Sequence, residues 1–357
     1  VKQFAGTPLK GLTVLDLTRL LPGAVATQYL AEHGAEVIKI EQPGDGDYAR
    51  TMNPVVFART NAGKKSVVLD LKQDAGKQAL LQLTARADIL IEGFRPGVMA
   101  RLGLAYSDLS AINRRLIFVS LSGYGQSGHY AGLAGHDINY IALGGVLNLN
   151  LPVIPGVLIA DLVGGAMQSI IGILMALHER TTTGLGQHVD VSMLAAVESL
   201  LTIPLATFAE TGREPVPGGE TLSGRYACYN VYECKDARWI AVGALEPKFW
   251  TTLCRQLRCE ELIPLQFEDD RQEEVKGRLR ELFRTRDAEA WFTRLREFDC
   301  CVTPVRRISE VAAEIEPGST VSAAAPKLGE HTDEILRRVE GPDFDASLVT
   351  CDPRSAP

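Results

Sequence analysis

Several features that would name a chemistry at once are missing from this sequence. There is no Gly-x-Gly-x-x-Gly after its first strand-like run. The turn there reads Thr18-Arg19-Leu20-Leu21-Pro22-Gly23, so the usual cradle for a dinucleotide pyrophosphate is absent. None of the seven cysteines forms a Cys-x-x-Cys, and Cys300 and Cys301 are adjacent. Such a set fits neither a zinc ribbon nor a disulfide framework and points to a reducing compartment. His33, His129, His178, His188 and His331 share no metal-ligand spacing, which argues against a metal site. There is no basic excess: the net charge of -7 excludes a broad nucleic-acid surface, while leaving room for a local pocket that takes a small polyanion. The longest apolar run, residues 166–177, contains Gln168 and Ser169 and is too short to span a bilayer. Residues 1–10 carry no apolar signal core, and the final Arg-Ser-Ala-Pro is not a peroxisomal tripeptide. These absences predict a cytoplasmic enzyme with no nucleic-acid, membrane or metal partner.

What is present is an alternation. The 357 residues, 46% hydrophobic and 23% charged, suffice for one large domain or two ordinary ones. Residues 12–17 read as a buried strand, 24–33 as a helix stopped by Gly34, and 36–41 as a second strand. Further strands are predicted over 66–71, 88–94 and 116–122, with an amphipathic helix over 74–86 and a short helix ending at Leu102. Continuous apolar strands imply a parallel sheet covered on both faces, a Rossmann-like α/β domain. Ligands of such sheets bind beyond the strand C-termini, where Arg95 and the glycine-rich loop 123–128 lie. A long helix is predicted from Asp161 through Arg180, a strand over 187–191 and a helix over 192–211. The Gly/Pro-rich segment 212–224 reads as a linker. A hairpin over 225–243 and charged helices over 247–298 then predict a smaller α+β domain. The domain reading is 1–190 for the large domain, 191–224 for the linker and 225–314 for the small domain, with the tail 315–357 returning to the first.

The stretch 135–165 holds the best acid/base candidates. His136 precedes Asp137, which reads as the N-cap of a helix over 138–147. A histidine at the positive end of a helix dipole is favoured in its neutral, basic form, and the first backbone N–H groups there can hold an oxyanion. Asp161 precedes another apolar helix; burial there would raise its pKa and make it a usable acid or base. Capping alone also explains both Asp137 and Asp161, and the local pattern leaves the two readings open. Glu246, before Pro247, reads either as a first-turn acid or as a partner that orients an imidazole. Among scattered cations, Arg95 between a strand and Pro96 is the candidate phosphate contact.

Several motifs together resemble the class III CoA-transferase family and, within it, the α-methylacyl-CoA racemases. They are residues 9–17 (LKGLTVLDL), 30–41 (LAEHGAEVIKIE), 61–72 (NAGKKSVVLDLK), 92–97 (EGFRPG), 184–193 (GLGQHVDVSM) and Thr303-Pro304-Val305. Gly135-His136-Asp137-Ile138-Asn139-Tyr140 is similar to the racemase signature, and residues 242–249 to the segment that supplies a glutamate. The resemblance implies an interlocked homodimer, with His136 and Asp161 from one chain and Glu246 from the other. It implies an acyl-CoA substrate contacted by Lys39, Arg95 and Tyr140, and no cofactor beyond CoA itself. It implies inversion at C2 by two-base proton transfer through an enolate held at the Asp137 helix start. The alternative within the family is CoA transfer between carboxylic acids with Asp161 as nucleophile. Val157, where racemases often carry asparagine, and Leu162-Val163 after Asp161 depart from the racemase pattern.

Overall fold

The computed structural model describes residues 6–314 and 324–340. Of these, 6–147, 154–202 and 324–340 form one compact unit, and 148–153 with 203–314 form a second. The first unit is built on a six-stranded sheet: β1 (Thr13–Leu17), β2 (Glu36–Glu41), β3 (Lys65–Val68), β4 (Ile89–Glu92), β5 (Ile117–Ser122) and β6 (His188–Ser192). Their order is β3-β2-β1-β4-β5-β6, and every pairing is parallel. Ile89, Ile91, Val119 and Leu121 pack into one layer with Leu30, Ile170 and Ile173. Leu90 and Phe118 pack into the other with Leu80, Leu83 and Leu109. Burial on both faces is why these strands are apolar at consecutive positions rather than alternate ones. Chain order reverses between β1 and β4, the place where open α/β sheets leave a crevice beyond their strand C-termini.

The helix after β1 spans Leu21–Glu32, with Pro22 in its first turn, and Gly34 at φ 103° ends it as predicted. The long helix runs from Ala160 to Thr183, with a π-helical opening, Ala160–Met167, before regular α-helix over Gln168–Thr183. At 24 residues it is long and apolar enough to cross a membrane by length and composition, which corrects the expectation that no run in the chain is. Its Ile170, Ile173 and Ala176 instead face the first unit's core, and its buried Arg180 meets Asp88 at 2.9 Å. The helix predicted over 192–211 is two helices, Met193–Ser199 and Thr202–Thr211. Two short helices after β2, Ala49–Met52 and Pro54–Thr60, were not predicted; Asn53 opens the second by accepting the Val56 N–H. Residues 324–340 pack on β3, where the His331 N–H donates to the Ser66 carbonyl and the Val68 N–H to Thr332 Oγ1. Residues 315–323 and 341–357 of the tail lie outside the described residues.

In the second unit β7 (Tyr229–Glu233) and β8 (Trp239–Gly243) form the predicted antiparallel hairpin, and β9 (Val302–Pro304) adds a third strand beside β8. Trp250, Leu253, Phe283 and Trp291 from three helices close over Tyr232, Ile240 and Val242.

Candidate active site

A cavity of about 250 Å³ opens above the C-terminal ends of β1, β4 and β5, at the reversal of strand order. Arg19, Phe94, Arg95, Tyr124, His136 and Tyr140 are among its walls. Arg19 and Arg95 bring two guanidinium groups to it, and among the described residues no carboxylate lines it. A cleft with that charge suits an anionic ligand.

The wall opposite the strands depends on glycines. The Tyr140 hydroxyl donates to the Gly135 carbonyl at 2.6 Å, and its ring meets Tyr124 edge-on at 5.0 Å between centroids. A Cβ on Gly123 would lie 2.3 Å from the Tyr140 ring, and one on Gly135 2.6 Å from the Tyr124 hydroxyl. Only glycine at these two positions lets the tyrosines close on the turn that carries His136. Burial pushes the Tyr140 phenol up to about 12, with the charges of Tyr124 and Asp161 adding to the rise and Arg95 opposing it.

His136 is itself the N-cap of a helix that spans Asp137–Leu143, and its N–H donates to Asn139 Oδ1 at 3.0 Å. This corrects the expectation that Asp137 caps the helix and that the helix reaches residue 147. Asp137 is its first residue, and the buried carboxylate turns away from its own helix to accept the Asp161 N–H at 2.9 Å. Asp161 is likewise no cap. It sits in the π-helical opening, whose turns are wider than those of an α-helix. Gly164 and Gly165 press that segment onto Met193 and Pro22, two residues of the cavity wall: added Cβ atoms would lie 2.9 Å from the Met193 carbonyl oxygen and 2.6 Å from Pro22 Cβ. Burial pushes the Asp161 carboxyl up to about 6, reinforced by the Asp137 charge and opposed by His136. Asp161 does not line the cavity; it adjoins His136 through Asp137.

Of the residues singled out in the sequence, His136, Asp137, Tyr140, Asp161 and Arg95 therefore gather in one neighbourhood. Lys39 stands apart from it. Its side chain is 0% exposed, with the ammonium 2.9 Å from Asp47 Oδ2 and donating to the Thr18 carbonyl at 2.9 Å. It braces the turn after β1 from behind. Glu246 belongs to the second unit, exposed at the N-cap of the helix Pro247–Leu257 without capping it through its side chain.

One residue of the cleft wall and one buried next to it in the chain escaped the sequence reading. Arg19 follows β1 as Arg95 follows β4, and that shared position after a strand was the available signal. Glu92 ends β4 3% exposed, accepting the Phe94 N–H at 2.7 Å. Burial raises its carboxyl to about 7 against hydrogen bonds from Ser120 and Phe94. A carboxylate closing an otherwise apolar strand was its signal.

Comparison with known proteins adds the family. The model of CoA-transferase family III matches residues 9–317. Human alpha-methylacyl-CoA racemase is 36% identical over 360 residues, 92% of each chain. Acetyl-CoA:oxalate CoA-transferase of Acetobacter aceti is 38% identical over 245 residues, 65% of this chain and 62% of that one. A CAIB/BAIF family protein from Brucella suis superposes with a TM-score of 0.79 at 28% identity, covering 94% of this chain and all (100%) of that one.

Proposed function

The chain belongs to CoA-transferase family III, and within it we propose a racemase (epimerase) that inverts C2 of 2-methylacyl-CoA thioesters. One observation carries the reading. The Asp137 carboxylate, one residue after His136, holds the Asp161 N–H, so an imidazole and a carboxyl that senses it share one site. The similarity to human alpha-methylacyl-CoA racemase over 92% of the chain supports it.

The proton on C2 of a thioester is weakly acidic. Removing it takes a positioned base and a donor for the enolate oxygen, and inversion takes an acid on the other face. For one configuration His136 accepts the proton and Asp161 returns one; for the other the roles exchange. A carboxyl pushed up to about 6 is suited to both halves, because near neutral pH it gives up or takes a proton at small cost. The backbone N–H of Asp137, at the helix start, is our assignment for the enolate oxygen. Arg95 and Tyr140 face the CoA moiety, and Lys39 acts on it through the turn it braces. Glu246, from a second copy of the chain in an interlocked homodimer, orients His136. The scheme uses no metal or redox group, and CoA enters as part of the substrate.

The similarity to an acetyl-CoA:oxalate CoA-transferase keeps a second reading, CoA transfer with Asp161 forming anhydride and thioester intermediates. His136 separates the two, since the transfer needs no base there. Racemisation should fall by at least about 100-fold in both His136→Ala and Asp161→Ala, with CoA binding largely kept. A His136→Ala variant that lost racemisation by less than about tenfold would remove the two-base scheme.

A further inference from the structure

The turn that leads from β1 into the cleft is strained. Leu20, flanked in the chain by the wall residues Arg19 and Pro22, sits at φ 59° and ψ −146°. Only glycine adopts that region freely; for leucine it favours a relaxed turn by about 5- to 150-fold unless the surroundings hold it. What holds it is Asp47. Its Oδ1 accepts the Leu20 N–H at 3.1 Å, and its Oδ2 lies 2.9 Å from the Lys39 ammonium, which donates to the Thr18 carbonyl at 2.9 Å. Asp47 is held in turn by Glu41, whose Oε2 accepts the Asp47 N–H at 3.0 Å.

Glu41, buried at the end of β2, has two further arms, and both reach the returning end of the chain. Arg50 donates to its two oxygens at 2.8 and 2.7 Å, and Arg50 Nη1 goes on to the Pro326 carbonyl at 3.1 Å. Ser66 Oγ donates to Glu41 Oε1 at 2.7 Å and accepts the Gly329 N–H at 2.9 Å. Gly46 lets these parts close up, since a Cβ there would lie 2.7 Å from both Glu41 Oε2 and Leu328 Cδ1. The donors to this one carboxylate are therefore Asp47, which anchors the turn, and Arg50 and Ser66, which meet the segment 324–340. In a buried network of this kind, loosening one arm is felt in the others. Glu41 does not line the cavity. We infer that Glu41 is a positioning residue for the cleft. Through Asp47 it keeps the strained turn in the shape that forms the wall, and through Arg50 and Ser66 it makes that shape depend on the segment 324–340. The wall is complete only once the chain beyond the second unit has returned.

The hub holds the turn whatever the cleft takes; only its effect on CoA affinity rests on the acyl-CoA reading, and two readouts keep these apart. Amide exchange without ligand, followed by mass spectrometry, compares wild type, Glu41→Gln, Ser66→Ala, Leu20→Gly and the double variant Leu20→Gly/Ser66→Ala. Glutamine sets an NH₂ where Asp47 or Arg50 needs an acceptor. Ser66→Ala is the milder change and carries the test if Glu41→Gln does not fold. In Ser66→Ala, exchange over residues 18–23 is expected to rise about 3- to 30-fold while β5 stays within about twofold. The Leu20 side chain is exposed, so Leu20→Gly removes no core contact, and it relieves the strain that the hub opposes. In that background the effect of Ser66→Ala should be at least about threefold smaller. Calorimetry with CoA should show the same pattern, with affinity about 3- to 30-fold weaker in Ser66→Ala. An equal rise over 18–23 and β5, no rise at all, or an effect that Leu20→Gly leaves at full size overturns the inference. So does a CoA affinity that Ser66→Ala leaves unchanged, while the acyl-CoA reading stands. A wild-type chain that binds no CoA overturns that reading alone, and the exchange data still decide the hub.

Discussion

Glu92→Gln should make the protein more stable in mild alkali and leave it nearly unchanged in mild acid. The carboxyl is buried at the end of β4, and burial raises it from its ordinary 4.5 to about 7. In the unfolded chain it ionises near the ordinary value. Between the two the folded state holds the extra proton, so this group's contribution to stability is fully present below about pH 4.5 and is lost as pH rises through about 7. Above that, ionising Glu92 inside the fold costs about 3 kcal/mol more than ionising it in the unfolded chain. Glutamine copies the protonated acid: its amide oxygen still accepts the Phe94 N–H, and its NH₂ still faces Ser120. Urea unfolding of the two proteins at about pH 5 and about pH 8 measures the difference while cancelling every other titrating group. The variant should gain roughly 1–3 kcal/mol relative to wild type between the two conditions. A difference that stays flat across that interval would show that Glu92 is not held protonated by burial.

Three further outcomes follow from the same site. In Asp137→Asn the amide oxygen can still take the Asp161 N–H, but the charge that helps raise Asp161 is gone. The acidic limb of the pH–rate profile, expected near 6, should therefore move to lower pH, and a limb that stayed put or rose would contradict the coupling. Gly123→Ala puts a Cβ 2.3 Å from the Tyr140 ring, so it should cost about 1–3 kcal/mol in urea unfolding and weaken CoA binding, whereas a neutral effect would mean the ring is not held where described. Gly165→Ala should slow turnover with little effect on CoA affinity, because its Cβ would lie 2.6 Å from Pro22 Cβ under the segment carrying Asp161; steady-state kinetics give the split, and a rise in KM alone would refute it.

The sheet was readable because its strands are apolar at consecutive positions, and the helix stop at Gly34 because only a left-handed residue serves there. β9 escaped because three residues carry no period, and it exists only by pairing with β8. The π-helical opening escaped because its spacing reflects how Gly164 and Gly165 meet Met193 and Pro22, contacts between distant parts of the chain. Capping rules mistook Asp137 for the same reason: its partner, the Asp161 N–H, is 24 residues away. Resemblance located Lys39, but a position in a motif does not distinguish a side chain that meets a ligand from one that braces the turn meeting it. Arg19 stood in the same sequence, next to Thr18, whose carbonyl Lys39 holds, and only the fold brings it to the cleft.

Proton exchange at C2 tests the central claim most directly. A 2-methylacyl-CoA of one configuration is incubated with the protein in deuterated water and followed by NMR at that carbon. Two-base transfer through an enolate predicts deuterium entering C2 as the configuration inverts, without any carboxylate being added. No exchange at C2, together with movement of CoA to an added carboxylate, would contradict it.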